Sequence, residues 1–428
     1  MKKLVNYCSI IFLLLVATSQ VKAQSVDVVI RENGTERKES IDLPKSMTYP
    51  LDSLLNDWKA KNYIDLGKDC STAEINPLFS DSVYIDRLSR IMEMPYNDII
   101  RKFIDMYAGR LRNQVSFMLS ACNFYMPIFE EALDAYGLPL ELKYLPIIES
   151  ALNPSAVSRA GASGLWQFMI GTGKIYGLES NSLVDERRDP IKATWAAARY
   201  LKEMYDIYGD WNLVIAAYNC GPGTINKAIR RANGETDYWK IYNYLPKETR
   251  GYVPAFIAAN YVMTYYCDHN ICPMETNIPA STDTVQVNKN LHFEQIADLC
   301  NVPLDQIKSL NPQYKKQMIP GDSKPYTLRL PIDAISTFID KQDTIYTHRA
   351  DELFRNRKTV AVKDITPATR KTTSAVAGKG NLTYYTIKSG DTLSTIARKY
   401  GVTIKDIQRW NGMSSTKIAA GKRLKIYK

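Results

Sequence analysis

At 428 residues the chain exceeds one ordinary domain of about 100–200 residues. Its 45% hydrophobic and 23% charged content excludes a disordered or low-complexity protein. The net charge of +10 is concentrated at one end: residues 355–380 hold seven Lys/Arg against one Asp and residues 381–428 ten against two, leaving residues 1–354 at −4. Such a tail suits an anionic polymer, but no nucleic-acid-binding signature accompanies it. Three histidines without metal spacing argue against a zinc or iron centre.

Residues 1–23 read as a signal segment: Lys2 and Lys3, an apolar run over 10–17, and a small-residue site at Val21-Lys-Ala23. The run falls short of the ~20 residues that span a bilayer. Cys8 follows Val5-Asn-Tyr and lacks the small residue expected before a lipid-modified cysteine. Export to the periplasm or cell envelope is expected, without a clear lipid anchor. Six cysteines then remain, Cys70, Cys122, Cys220, Cys267, Cys272 and Cys300. An even count in an exported chain permits disulfides; Cys267 and Cys272 are the closest pair and could bridge locally, and the connectivity stays open.

Residues 24–80 form a partly irregular segment, with a strand expected over 26–30 and a helix over 51–61. Residues 81–273 are helical: Ile99-Ile100, Phe103-Ile104 and Tyr107 recur at helical spacing. Pro127 fits the first turn of a helix that Gly137 ends. Pro139 opens the next helix, which Pro146 should kink. Asp189-Pro190 caps a long helix towards Tyr208, and Gly221-Pro-Gly223 stops one begun at Trp211.

Glu149 closes the Pro139 segment, directly after Ile147-Ile148. Breaking a glycosidic bond usually takes two carboxylates. A sugar with a 2-acetamido group can instead use its own carbonyl oxygen, and one protein acid then suffices. That acid must stay protonated near neutral pH, so burial should raise its pKa. An isolated glutamate on a helix is more often a solvated charge, so its context decides.

That context is four separated motifs: Glu149-Ser150, Gly164-Leu-Trp-Gln-Phe-Met169, Ala217-Tyr-Asn-Cys-Gly-Pro-Gly223 and Glu248-Thr-Arg-Gly-Tyr-Val253. In order and spacing they resemble the lytic transglycosylases with a goose-type lysozyme fold, most closely the D type, including the run Leu183-Val-Asp-Glu-Arg-Arg-Asp-Pro190. The resemblance implies that 81–273 is a lysozyme-like transglycosylase domain, with motifs over 139–253 and no metal or other cofactor. Glu149 would be the general acid/base, and Ser150 would support it and count among the substrate-binding residues. Gln167, Tyr218 and Asn219 would line the sugar cleft, and Tyr252 would orient the glutamate or the sugar. Ile170 stands where the family often has proline, and Cys220 where it often has Ser or Ala. D-type relatives are often lipid-anchored, a signal this chain lacks. Trp166 and Phe168, taken alone, read as core.

Residues 383–428 resemble a LysM module, with Tyr385-Thr-Ile-Lys-Ser-Gly-Asp-Thr-Leu393 and Asn411 at the expected places. The resemblance implies binding of N-acetylglucosamine-containing glycan through Gly390, Asp391, Thr392, Leu393 and Asn411. Sliding 293–321 by 100 positions lays Ile296, Ala297, Val302, Ile307, Asn311 and Gly321 on identical residues. Residues 284–331 are therefore expected to be a second, degenerate LysM-like unit. Leu291-His-Phe293 replaces Asp391-Thr-Leu393 there, so strong glycan affinity is not expected. Residues 332–382 read as a basic, partly disordered linker.

The expected fold class is a mainly α catalytic domain (lysozyme-like, α+β) with small βααβ LysM modules. The expected activity is non-hydrolytic cleavage of peptidoglycan between N-acetylmuramic acid and N-acetylglucosamine. A hydrolytic muramidase and a non-catalytic wall-binding protein remain the alternatives. Expected partners are peptidoglycan glycan strands, with cell-envelope regulators an open class, and a monomer is expected.

Overall fold

A computed structural model describes residues 25–32, 35–51, 53–54, 62–63, 79–88, 92–275, 278–279, 281–354, 382–388, 391–411, 413, 418, 421–427. The expected signal segment 1–23, Cys70, most of the helix expected over 51–61, residues 355–381 and Gly390 lie outside the described residues. The chain divides into two compact units, Met1–Ile365 and Thr366–Lys428.

The first unit opens with a hairpin, β1 (Ser25–Glu32) and β2 (Thr35–Asp42), paired antiparallel with Val28 opposite Glu39. Val28 and Ile41 are buried in the main core. The segment expected to be partly irregular is thus, from 25 to 42, a regular hairpin that belongs to the helical domain. It seats on the helix Lys247–Thr264 at Gly251, where an added Cβ would lie 2.3 Å from the Asp42 carbonyl oxygen. Only glycine permits that approach. A two-residue strand β3 (Asn62–Tyr63) pairs with β4 (Met274–Glu275).

Helix α1 (Asp81–Arg87) precedes α2 (Asp98–Ala108). The Asn97 side chain caps α2 by accepting from the Ile99 and Ile100 amides at 3.0 Å, and the predicted stripe of Ile99, Ile100, Phe103, Ile104 and Tyr107 is buried. Helix α3 (Arg112–Ala135) contradicts the expectation that Pro127 begins a helix, because it runs straight through that residue. Pro127 and Asn123 are both exposed. Water can satisfy the carbonyl that proline leaves unpaired, which makes the interruption tolerable. The end was read correctly: Gly137 has φ 63°, and the amides of Gly137 and Leu138 return to the Asp134 and Leu133 carbonyls at 2.8 and 2.9 Å.

The Pro139 segment divides at Pro146, as a proline there requires. A 3₁₀ turn over Leu140–Tyr144 leads into α4 (Leu145–Ser150), with Pro146 in its first turn. A loop then leads to α5 (Ile170–Ile175). Asp189 caps α6 (Pro190–Tyr208) from both the Ile191 and Lys192 amides, and Gly209 ends it at φ 62°. Helix α7 (Trp211–Cys220) ends at Gly221, but Pro222 then starts α8 (Pro222–Arg231) at once. The short α9 (Tyr238–Ile241) leads to α10 (Lys247–Thr264), whose middle is almost wholly buried. Cys272 is disulfide-bonded, whereas Cys122, Cys220, Cys267 and Cys300 are free. The local Cys267–Cys272 bridge is therefore not formed, and the partner of Cys272 lies outside the described residues.

Next comes a strand–helix–helix–strand unit: β5 (Thr282–Val287), β6 (Asn290–His292), α11 (Phe293–Cys300), α12 (Leu304–Leu310), β7 (Met318–Pro320) and β8 (Tyr326–Pro331). β5 pairs antiparallel with β8. The linker expected from 332 does not begin there. Helices α13 (Ile332–Asp340), α14 (Gln342–Thr347) and α15 (Ala350–Leu353) follow, and Ala334, Phe338 and Ile345 complete the core around Phe293, Ile296 and Leu328. Their apolar spacing is helical; the composition of the basic stretch beyond 354 obscured it.

The second unit has the same skeleton: β9 (Leu382–Thr386), α16 (Leu393–Tyr400), α17 (Ile404–Trp410) and β10 (Arg423–Tyr427), with β9 and β10 antiparallel. Tyr385, Leu393, Ile396, Ile407, Leu424 and Ile426 form its core.

Candidate active site

Glu149 sits one residue from the end of α4, with Ile147 and Ile148 buried behind it. Tyr252 of α10 is 2% exposed, and its hydroxyl donates to Glu149 Oε1. Burial is the main influence on the carboxyl and lifts it to about 7. The Tyr252 hydrogen bond and the Lys45 charge oppose that shift, and the Glu248 charge reinforces it. Burial and the neighbouring Glu149 charge hold both Tyr252 and Tyr218 well above the ordinary phenol value, so both stay protonated. The result is a neutral acid at mild pH that becomes a hydrogen-bonded carboxylate once its proton leaves.

The other predicted residues tie the neighbouring loops and helices together. Ser150 is fully buried, and its hydroxyl donates to the Pro146 and Leu165 carbonyls at 3.0 and 2.9 Å. It ties α4 to the following loop and is not exposed to a sugar, which corrects its assignment as a substrate-binding residue. Gln167 adopts φ 48°, an uncommon value for a residue with a side chain. Its amide nitrogen donates to the Gly164 and Ala156 carbonyls at 2.8 and 3.2 Å. The Tyr218 hydroxyl donates to the Trp166 carbonyl at 2.7 Å, and Asn219 Oδ1 accepts from the Thr249 hydroxyl at 2.8 Å. Trp166 is core, buried with its indole N–H on Thr194 at 2.9 Å.

Several neighbours of Glu149 escaped the sequence reading. The Ser46 hydroxyl donates to the Ile148 carbonyl at 2.6 Å. Tyr49 is raised by burial and by the Glu149 charge. Lys45 and Glu248 form an ion pair at 3.5 Å, both half exposed. The N-terminal segment therefore supplies one side of the site. Glu248 heads the fourth motif and was visible there, although nothing in the sequence brought it near Glu149. Asp185 and Arg187, also inside a quoted motif, form a buried bidentate pair at 2.8 Å. Arg187 Nη1 reaches the Gly161 and Phe168 carbonyls at 2.8 and 2.9 Å. Gly164 (φ 88°) faces the same backbone, where a Cβ would lie 1.8 Å from the Arg187 carbonyl oxygen.

This arrangement has known counterparts. Three family descriptions match: the Transglycosylase SLT domain over residues 126–241, the Lytic transglycosylase MltD, LysM-like domain over 281–347, and the LysM domain over 385–426. The chain is 32% identical over 339 residues to the membrane-bound lytic murein transglycosylase D of Escherichia coli K12, covering 78% of this chain and 70% of that relative. The chain belongs to this family of lytic murein transglycosylases. The soluble lytic murein transglycosylase of the same organism is 33% identical over 124 residues, 28% of this chain and 19% of that one. The crystal structure of the E. coli 70 kDa soluble lytic transglycosylase aligns at a TM-score of 0.30 and 28% identity, over 35% of this chain and 25% of that chain. The fold class of the family holds here, a mainly helical lysozyme-like domain with small strand–helix–helix–strand modules. Among the described residues, no helix is long and apolar enough to cross a membrane, and no group of three His, Cys, Asp or Glu could hold a metal.

The LysM assignments divide differently. Gly390 lies outside the described residues. Asp391 accepts from the Lys388 amide and the Tyr385 hydroxyl at 2.8 Å each. Thr392 caps α16 in a reciprocal bond with Thr395, and Leu393 is 2% exposed in the core. Asn411 gives its side-chain amide to the Ile407 and Lys425 carbonyls at 2.8 Å and accepts from the Lys425 amide at 2.7 Å. These four shape the module. Leu393 is turned into the core and the Asn411 amide is spent on backbone groups, so their assignment as glycan contacts is corrected to a structural role.

Proposed function

We propose that the protein is a peptidoglycan lytic transglycosylase in which Glu149 is the single general acid/base. The observation that carries this reading is a carboxyl lifted by burial to about 7 and hydrogen-bonded to Tyr252. Protonated Glu149 gives its proton to the glycosidic oxygen between N-acetylmuramic acid and N-acetylglucosamine. The 2-acetamido oxygen of the muramic residue attacks its anomeric carbon as the C–O bond breaks. The Glu149 carboxylate, steadied by Tyr252, then takes the proton from the C6 hydroxyl. The C6 oxygen displaces the acetamido oxygen and closes a 1,6-anhydro ring. Glu149 ends protonated, ready for the next bond, and no water is consumed.

Gln167, Tyr218 and Asn219 line the cleft in this reading, with their hydrogen bonds to loop and helix fixing its shape. The second unit binds the glycan of the wall, with its basic surface adding attraction to an anionic polymer. We place the protein in the cell envelope as an exported monomer, in keeping with its signal-like start. Mass spectrometry of digested peptidoglycan tests the activity. Products ending in 1,6-anhydromuramic acid are expected, and products with only reducing ends would identify a hydrolase instead.

A further inference from the structure

The LysM-like unit turns one of its loops towards the catalytic domain. By the 100-residue offset, the loop after Asn311 corresponds to the loop after Asn411 in the second unit. Here residues 313–315 of that loop are occupied by protein. The Asp185 amide donates to the Gln313 carbonyl at 2.9 Å, and the Lys315 amide to the Leu183 carbonyl at 2.8 Å. Val184 pairs with Tyr314 in an antiparallel bridge. Lys315 Nζ donates to the Asn181 carbonyl at 2.8 Å and lies 3.6 Å from Asp185 Oδ2. Lys324 and Tyr326 hold Glu179 at 2.6 and 3.1 Å. Leu183 and Val184 are buried in the module's own core.

The clamped segment is the one that ends in Arg187. Asp185 fixes the guanidinium, 6% exposed, through two bonds, and Arg187 then holds the Gly161 and Phe168 carbonyls. Arg188 Nε adds a bond to Ser163 Oγ at 3.0 Å. Between those anchors lie the Leu165 carbonyl that receives Ser150, the Trp166 carbonyl that receives Tyr218, and Gln167. The contacts are continuous from the module to the helix bearing Glu149.

We propose that the LysM-like unit is a brace for the active site: its 313–315 segment fixes residues 179–187, and Arg187 thereby sets the cleft loop 161–168. Asp185, Arg187 and Lys315 are positioning residues; none of them touches the reacting sugar. The reaction is the one proposed above, so the brace as a catalytic device rests on that reading. The mechanical claim does not. A buried pair bonded at four points resists opening, and the loop it holds exchanges slowly while the pair is intact.

Lys315→Met and Lys315→Arg in the full chain test this. For Lys315→Met, amide hydrogen exchange across 161–168 should rise by about 5-fold or more while α10 stays protected. With a short soluble glycan, kcat should fall about 10-fold with KM changed less than about 2-fold, since misplacing a catalytic constellation costs turnover first. Lys315→Arg should restore both. Asp185→Asn should act in the same direction and more strongly; if it does not fold, the lysine pair decides. Unchanged exchange across 161–168 in Lys315→Met overturns the brace, whatever the products are. Raised exchange with unaltered kcat overturns its catalytic part. Wild-type digests without anhydro products sink the transglycosylase reading and leave the exchange result standing.

Discussion

In the unit over 282–331, Asn311 donates to the Ile307 and Arg329 carbonyls and accepts from the Arg329 amide, all at 2.8–2.9 Å. In the unit over 382–427, Asn411 does the same with Ile407 and Lys425. One amide side chain locks the second helix to the closing strand in both. Phe293 and Leu393 occupy the same core position, and both first helices carry a side-chain cap: His292 accepts from the Glu294 amide and gives its own amide to Gln295, and Thr392 and Thr395 bond reciprocally. Beyond this skeleton they part. The first adds the three helices α13–α15 and spends its 313–315 loop on the catalytic domain. A fold is retained by a few inward residues, while its loops are free to change partner.

Neither module carries the chemistry, so the largest effect should fall outside both. Glu149→Gln should lower cleavage by at least about 1,000-fold, within the range for losing a general acid/base, with sacculus binding unchanged in a pull-down. The same variant should alter stability with pH. Because the folded carboxyl sits near 7, above its ordinary value of 4.5, the native state binds more protons than the unfolded one between those values. Stability then falls as pH rises through that window and stays reduced above it. Replacing the acid should therefore stabilise the protein by about 1–3 kcal/mol at pH 8 and by nothing at pH 4, in denaturant melts at each pH.

Removing residues 355–428 sharpens the contrast. Attachment to sacculi should weaken by about 100-fold, the loss of a tethered second site, while cleavage of a short soluble glycan stays within about 2-fold. Equal losses on both substrates would deny the division of labour. Asn311→Ala and Asn411→Ala should each destabilise their own module by about 2–3 kcal/mol, because backbone groups lose their partners. The first should also reduce turnover on the soluble glycan, and the second only binding to the wall.

The smallest effect concerns the rim. Glu248→Gln removes a charge that raises the Glu149 pKa, so the alkaline limb of the activity profile should move down by a few tenths of a unit with kcat retained. Lys45→Met should move it up. Loss of activity in Glu248→Gln as complete as in Glu149→Gln would point to two working carboxylates.

How much of this was legible follows from what kind of signal each part left. Helix boundaries were readable where one residue sets them, the start at Asp189 and the stops at Gly137 and Gly221, because capping is local. Glu149, Tyr218 and Tyr252 were found through their motifs, and the repeat of Asn311 on Asn411 through matched spacing. What failed was long-range or decided by exposure. Pro127 was read as a start because its solvent-facing position is invisible in sequence. The Ser46–Ile148 bond joins residues 102 apart, and no local pattern announces it. Ser150, Leu393 and Asn411 were singled out correctly but assigned to substrate contact, since a motif marks a position without saying what its side chain holds. Phe338 and Ile345 were passed over because a basic stretch nearby coloured the whole segment.

The central claim, one buried carboxyl that is protonated at mild pH and serves both proton transfers, is tested most directly by titration. Carboxyl-carbon NMR of protein labelled at glutamate, wild type against Glu149→Gln, isolates that one group. The account predicts a signal absent from the variant that titrates near 7, matched by the alkaline limb of kcat/KM. A Glu149 signal that titrates at or below the ordinary value of 4.5 would contradict it.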